Sequence, residues 1–208
     1  MSDHHHHHHH HDHDHGDHDS ELGQAYSLYT KIDTYNVECL NEVEDGSGKN
    51  VFKPWDDRLD TSKYVESDAD EELLLRIPFT GDIKLKGFVI IGGEGESHPA
   101  QVKLYKNRPG MTFDDTTASA DQEFQLQEDR DGSIEYPTMV SRFSGVTHLT
   151  MYFASNFGAE ATRIYYIGLS GEFAPTRRHE VTICNYEAQA NPADHRIKGV
   201  DSVRQQIS

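Results

Sequence analysis

Cysteine is nearly absent. Cys39 and Cys184 are the only two in 208 residues, which allows one disulfide at most and no disulfide framework. Long apolar runs are missing too. No stretch approaches the roughly 18 residues a membrane-spanning helix needs, and nothing near Met1 resembles a signal peptide. The expected location is therefore cytoplasmic and nuclear, where reduced, buried thiols are the ordinary state of cysteine. Positive charge is scarce: 19 Lys and Arg stand against 36 Asp and Glu, a formal net charge of −17. That balance lacks the clustered cations needed to grip nucleic acid, so neither a nucleic acid nor a membrane is expected as partner. A charged partner should be basic.

Catalytic signatures are missing as well. There is no P-loop, dinucleotide fingerprint, H-E-x-x-H or G-x-S-x-G, and neither cysteine has a C-x-x-C companion. Gly92-Gly93-Glu94-Gly95 is no phosphate cradle, because no Lys-Ser/Thr follows and Glu94 would repel the anion. Arg177 and Arg178 would lower the thiol pKa of a nearby cysteine, but Cys184 lies in the apolar run 181–184, where burial keeps a thiol inert. The expectation is a protein that is not an enzyme and has no cofactor.

The apolar content, 35%, is low, and much of the deficit is local. The first 21 residues hold eleven of the fifteen histidines and six of the acids, with no Lys or Arg; the remaining 30 acids against 19 bases leave about −11 on the body. His4, His5, His6, His7, His8, His9, His10 and His11 run on irregularly through His13, His15 and His18, interleaved with aspartates. Imidazole and carboxylate together suit Zn, Ni or Cu. The tract reads as a weak, adventitious metal binder, or in its first eight histidines as a purification tag. It has nothing apolar to fold around.

Beyond residue 20 the pattern is β. Leu73–Ile77 and Ile83–Ile91 form the most hydrophobic pair of neighbouring segments. Between them lie Pro78 and Gly81, turn residues that predict a hairpin or a sheet-to-sheet corner, with Gly81 permitting a positive φ. Residues 100–106 alternate as a half-exposed strand, and 123–127 form a brief one. In 146–153, Leu149, Met151 and Phe153 share one face, with Val146, His148, Thr150 and Tyr152 on the other, wet face. Residues 164–173 and 180–184 complete eight or nine strands. The only helical stripe, Leu22, Ala25, Leu28, Tyr29 and Ile32, predicts a short helix over 21–32. The fold class is all-β, an antiparallel sandwich or jelly roll. Trp55, beside Pro54, reads as a plug at one end of the core more readily than as an exposed anchor.

Two stretches carry enough polar chemistry to weigh as sites. Glu66, Asp68, Asp70, Glu71 and Glu72 put five carboxylates into seven residues. They read as a Ca²⁺ loop, a solvated acidic turn, or a patch for a basic partner, and the EF-hand glycine is missing. Asp194-His195-Arg196, after the turn signal Asn191-Pro192, reads equally as a site or as a self-satisfied turn.

Several segments in order carry a resemblance: Phe52-Lys53-Pro54-Trp55, Glu66-Ser67-Asp68-Ala69-Asp70-Glu71-Glu72-Leu73 with Ile77-Pro78-Phe79, residues 163–171, and residues 181–188 with Asn191-Pro192-Ala193-Asp194-His195. Together they resemble the PITH domain family over residues 20–195, between an N-terminal tail (1–19) and a C-terminal one (196–208). The resemblance implies a β-sandwich of jelly-roll, galactose-binding-like type, and a non-enzymatic interaction module associated with the 26S proteasome. With no C-x-x-C and no thioredoxin domain in this chain, the thiol-reductase role of longer family members does not carry over, and the stand-alone type is expected. The expected partner-binding residues are Asp68, Asp70, Glu71 and Glu72 on the acidic edge, and Arg177, Arg178, His179, Asp194, His195 and Arg196 in the less acidic C-terminal region. The alternatives are a small-ligand or carbohydrate-binding jelly roll using Trp55 or the 93–99 loop, and a metal-handling protein working through the histidine tract.

Overall fold

The computed structural model describes residues 16–175, with side chains from Glu21 onward. The histidines from His4 to His15, the strand expected over 180–184, and Arg177, Arg178, His179, Asp194, His195 and Arg196 lie outside the described residues; of His18 only the backbone is described.

The chain runs through α1 (Gly16–Ala25), β1 (Glu38–Leu40), β2 (Val65–Glu66), β3 (Leu73–Gly92), β4 (Pro99–Lys106), β5 (Gln122–Gln125), β6 (Tyr136–Pro137), β7 (Ser144–Asn156) and β8 (Arg163–Pro175), joined by loops and short 3-10 turns. Every pairing between these strands is antiparallel. β3 organises them. Its first part, Leu73–Pro78, has β7 on one side and β1 on the other; its second part, Gly81–Gly92, pairs with β8 along its length, still touches β7 at Ile83 and Lys84, and pairs with β6 at Gly87 and Phe88. One long strand thus belongs to two sheets, β1-β3-β7-β4-β5 and β2-β8-β3-β6. Leu73, Leu75, Ile77, Met151 and Phe153 from the first sheet pack in one buried cluster with Leu85, Phe88, Ile90, Ile167 and Leu169 from the second. Two antiparallel sheets meeting through alternating apolar side chains make a β-sandwich. β3 neighbours β7 and β8, the last two strands among the described residues, rather than its sequence neighbours β2 and β4, the wrapping expected of a jelly roll.

The hairpin alternative is therefore wrong and the sheet-to-sheet corner is right. The chain stays extended through 78–82, where the register with β7 shifts between Pro78 and Ile83. Proline falls where the ladder breaks, a position that tolerates its missing N–H. Gly81 is not in the left-handed region. Glycine is needed there for close approach, because a Cβ would stand 2.8 Å from the Ala174 carbonyl oxygen.

Two further expectations are corrected. The helix over 21–32 starts earlier and ends at Ala25, and a 3-10 turn, Ser27–Lys31, replaces its second half. Tyr26 packs with Trp55 while Leu28 enters the main core. Positions two apart on a straight α-helix point about 200° from each other, so the break lets both be buried. The wet face of β7 is not wet either: Thr150 and Tyr152 are buried, and Met111 from the β4–β5 connection packs with Leu74, Tyr105 and Tyr152 in a second small core. Trp55 is the expected plug. It is buried, stacks on Tyr26 at 4.9 Å and carries the Arg58 guanidinium 4.2 Å above its ring.

Candidate functional site

The acidic edge joins β2 to β3. Asn41, just past β1, holds it in place. Its φ of +68° is a left-handed conformation that asparagine tolerates better than most residues. Its Nδ2 donates to Asp70 Oδ1 at 2.8 Å and to the Glu72 carbonyl at 2.7 Å, and its Oδ1 accepts the Ala69 N–H at 3.0 Å. The Asn41 carbonyl accepts the Asp68 N–H at 3.0 Å. From the other side the Thr162 hydroxyl donates to the Glu71 carbonyl at 2.6 Å, and the Thr162 N–H donates to the Ser67 hydroxyl at 2.8 Å. The loop is held at both flanks.

Its five carboxylates divide. Glu66 accepts Arg163 Nε at 2.6 Å, and that guanidinium lies 4.7 Å from the centre of the Tyr64 ring. Asp70 takes the Asn41 amide and the Glu72 N–H. Glu72 accepts the Tyr152 hydroxyl. Burial, and then the neighbouring Glu72 carboxylate, push the Tyr152 phenol up to about 12. Asp68 is exposed and Glu71 half-buried, and neither carboxylate has a bonding partner among the described residues. Of the four acids expected to meet a partner, Asp70 and Glu72 are built into the loop, while the carboxylates of exposed Asp68 and half-buried Glu71 are not used in holding it.

The edge continues into a cavity of about 160 Å³ lined by Val43, Glu44, Ser47, Tyr64, Glu66 and Arg163. The backbone ties the two together, since the Val43 N–H donates to the Glu66 carbonyl at 2.9 Å. Among the described residues, no three of His, Cys, Asp or Glu converge where they could hold a metal ion.

Two titratable groups inside the sandwich, His98 and Asp129, serve one of its joints. His98 is buried, with Nδ1 2.8 Å from the Pro99 carbonyl and Nε2 accepting the Asp129 N–H at 3.2 Å. Those partners require the proton on Nδ1 and leave no ring nitrogen for proton transfer. Burial holds the imidazole below its ordinary pKa. Asp129, also buried, turns both carboxylate oxygens onto backbone N–H groups: Oδ1 accepts from Asp131 (3.1 Å), Gly132 (2.8 Å) and Ser133 (3.3 Å), and Oδ2 from Ile134 (2.8 Å). Cys39 is half-buried and its thiol is pushed up by burial and by Glu42, the reverse of nucleophile activation. Asn41 and Asp129 were not singled out in the sequence. Only the Asp-x-Asp-Gly-Ser run at 129–133, a turn pattern, could have marked the second.

Residues 18–190 match the PITH domain. The chain is 63% identical over 191 residues to PITH domain-containing protein CG6153 of Drosophila melanogaster, covering 92% of this chain and 90% of that protein. It is 58% identical over 180 residues to PITH domain-containing protein 1 of Homo sapiens, covering 86% and 85%. Among solved structures, the F5/8 type C domain of a Bacteroides fragilis protein superposes with a TM-score of 0.48 at 10% identity, over 69% of this chain and 97% of that one.

Proposed function

The chain belongs to the PITH domain family, and from that premise we propose that it is a non-enzymatic interaction module that docks on the regulatory particle of the 26S proteasome. The observation that carries the interaction reading is the division within the acidic edge. Asp70 and Glu72 are spent on holding the loop, so Asp68 and Glu71 are presented at fixed positions with their charge unpaired. Preorganised charge of this kind costs little ordering on binding and steers an oppositely charged partner. The absence of a poised base or nucleophile among His98, Cys39 and Asp129 accords with a role that is not catalytic. Asp68 and Glu71 make the contacts, Asp70 and Glu72 position them, and the basic residues Arg177, Arg178 and Arg196, with His179, Asp194 and His195, supply a second contact of opposite sign. The same reading makes the protein cytoplasmic and nuclear.

Co-sedimentation with purified 26S proteasomes at low ionic strength tests the proposal. The chain should pellet with the particle and be released by salt. A chain that stays in the supernatant at low salt refutes it.

A further inference from the structure

The cavity beside the acidic edge has a lining of mixed chemistry. Val43, at 60% exposed, and Tyr64, at 39%, are among the six large hydrophobic side chains exposed in the described residues, and both line this one cavity. Tyr64 is held in place by an edge-on contact with Tyr165, ring centres 6.0 Å apart, and by the Arg163 guanidinium at 4.7 Å. Glu44, exposed and with no side-chain partner among the described residues, lines the cavity too, as does the Glu66–Arg163 ion pair. The Glu44 loop is itself fixed. Glu42 accepts the N–H groups of Gly46 and Gly48, each at 2.6 Å, and the Ser47 hydroxyl at 3.1 Å.

Size and charge select the occupant. A volume near 160 Å³ lies well under the ~300 Å³ at which small-molecule sites begin, and suits a single long side chain. The lining is more polar than apolar, but Val43 and Tyr64 give it two apolar surfaces and Glu44 a carboxylate without a side-chain partner among the described residues, a combination that matches a side chain that is apolar along its stem and cationic at its tip. The lining sharpens the charge preference: two carboxylates, Glu44 and Glu66, stand there against the one guanidinium of Arg163. We propose that the slot between Val43 and Tyr64 takes one lysine or arginine side chain of a basic segment in a protein partner, the stem lying between Val43 and Tyr64 and the cation meeting Glu44. Asp68 and Glu71 then meet basic residues flanking the inserted one. The inference rests on the reading of the chain as an interaction module, and names the chemistry its partner must offer.

The test needs no proteasome, so its failure is separable from failure of that reading. The isotope-labelled full chain is titrated by NMR with a capped peptide of alternating glycine and lysine, and with a matching peptide carrying glutamate in place of lysine. The lysine peptide should shift the amides of Val43, Glu44, Tyr64 and Glu66 first, and the glutamate peptide should not. Glu44→Lys should weaken binding about tenfold, the size of one charged contact, and Val43→Ser by a smaller factor at unchanged salt dependence. Both positions are exposed, and an unchanged dispersion of amide signals shows that each variant is folded. Shifts centred outside the slot, equal binding of the glutamate peptide, or full affinity in Glu44→Lys and Val43→Ser would each overturn the proposal.

Discussion

The junction at His98 and Asp129 and the edge at Glu66–Glu72 are both dense in polar side chains turned onto backbone, yet they do opposite things. At the junction every titratable group is buried and committed: both nitrogens of His98 and both oxygens of Asp129 bind main chain, and a Cβ at Gly92 would run into the His98 ring. At the edge the commitment is partial. Asp70 and Glu72 hold the loop, while Asp68 and Glu71 remain for something outside it. A buried histidine beside an aspartate has the composition of a catalytic pair and here is a joint. A polar surface loop has the composition of filler and here is the presented site. What separates them is how many bonding positions the fold leaves open.

Substitutions should divide the same way. Asp129→Ala takes the acceptor from the N–H groups of Asp131, Gly132 and Ile134, while that of Ser133 keeps Asp131 Oδ1, and should cost about 3–5 kcal/mol, read as a lower midpoint in urea with an unchanged slope. A loss under about 1 kcal/mol would mean the junction is not the joint described. Asn41→Ala removes the side-chain bonds to Ala69, Asp70 and Glu72 and places alanine at a positive φ; about 2–3 kcal/mol is expected, with co-sedimentation lost as well because the loop loses its clamp.

The junction also sets a pH signature. His98 is held below its ordinary pKa by burial, so the unfolded chain takes up the proton first. The stabilisation is present above about pH 6.5, the unfolded value, and is lost as pH falls through the lower folded value. His98→Gln should flatten that part of the acid-unfolding curve; an identical curve would show that His98 does not contribute. Tyr152 works at the other extreme. Its phenol is raised to about 12, so its share of stability holds below pH 10 and fades as pH rises through 12. Tyr152→Phe should remove one step from the alkaline absorbance titration. The smallest effect belongs to the outward charges. Asp68→Lys with Glu71→Lys should leave stability within about 0.5 kcal/mol of the parent chain, against the large loss at Asp129.

The sequence showed the core more clearly than the site. Leu73–Ile77 and Ile83–Ile91 announce themselves because alternation and β-branching are local properties, and both lie in β3. That they form one strand bent between two sheets depends on β7 and β8, whose paired residues lie far along the chain, as Leu73 with Phe153 and Gly92 with Ile164, and Pro78 with Gly81 mimics a turn. Thr150 and Tyr152 look solvent-facing by alternation and are buried because Met111 folds over them. The acidic run was visible as a cluster, but which of its members are spent depends on Asn41, Thr162, Tyr152 and Arg163, none of which is its sequence neighbour.

The measurement that bears most directly on the account is the affinity of the chain for purified 26S proteasomes, compared between the parent and Asp68→Lys/Glu71→Lys at low ionic strength. The account predicts that the parent binds, that the double variant is folded with unchanged stability, and that it binds at least about tenfold more weakly. Equal binding by the two, or none by either, would contradict it.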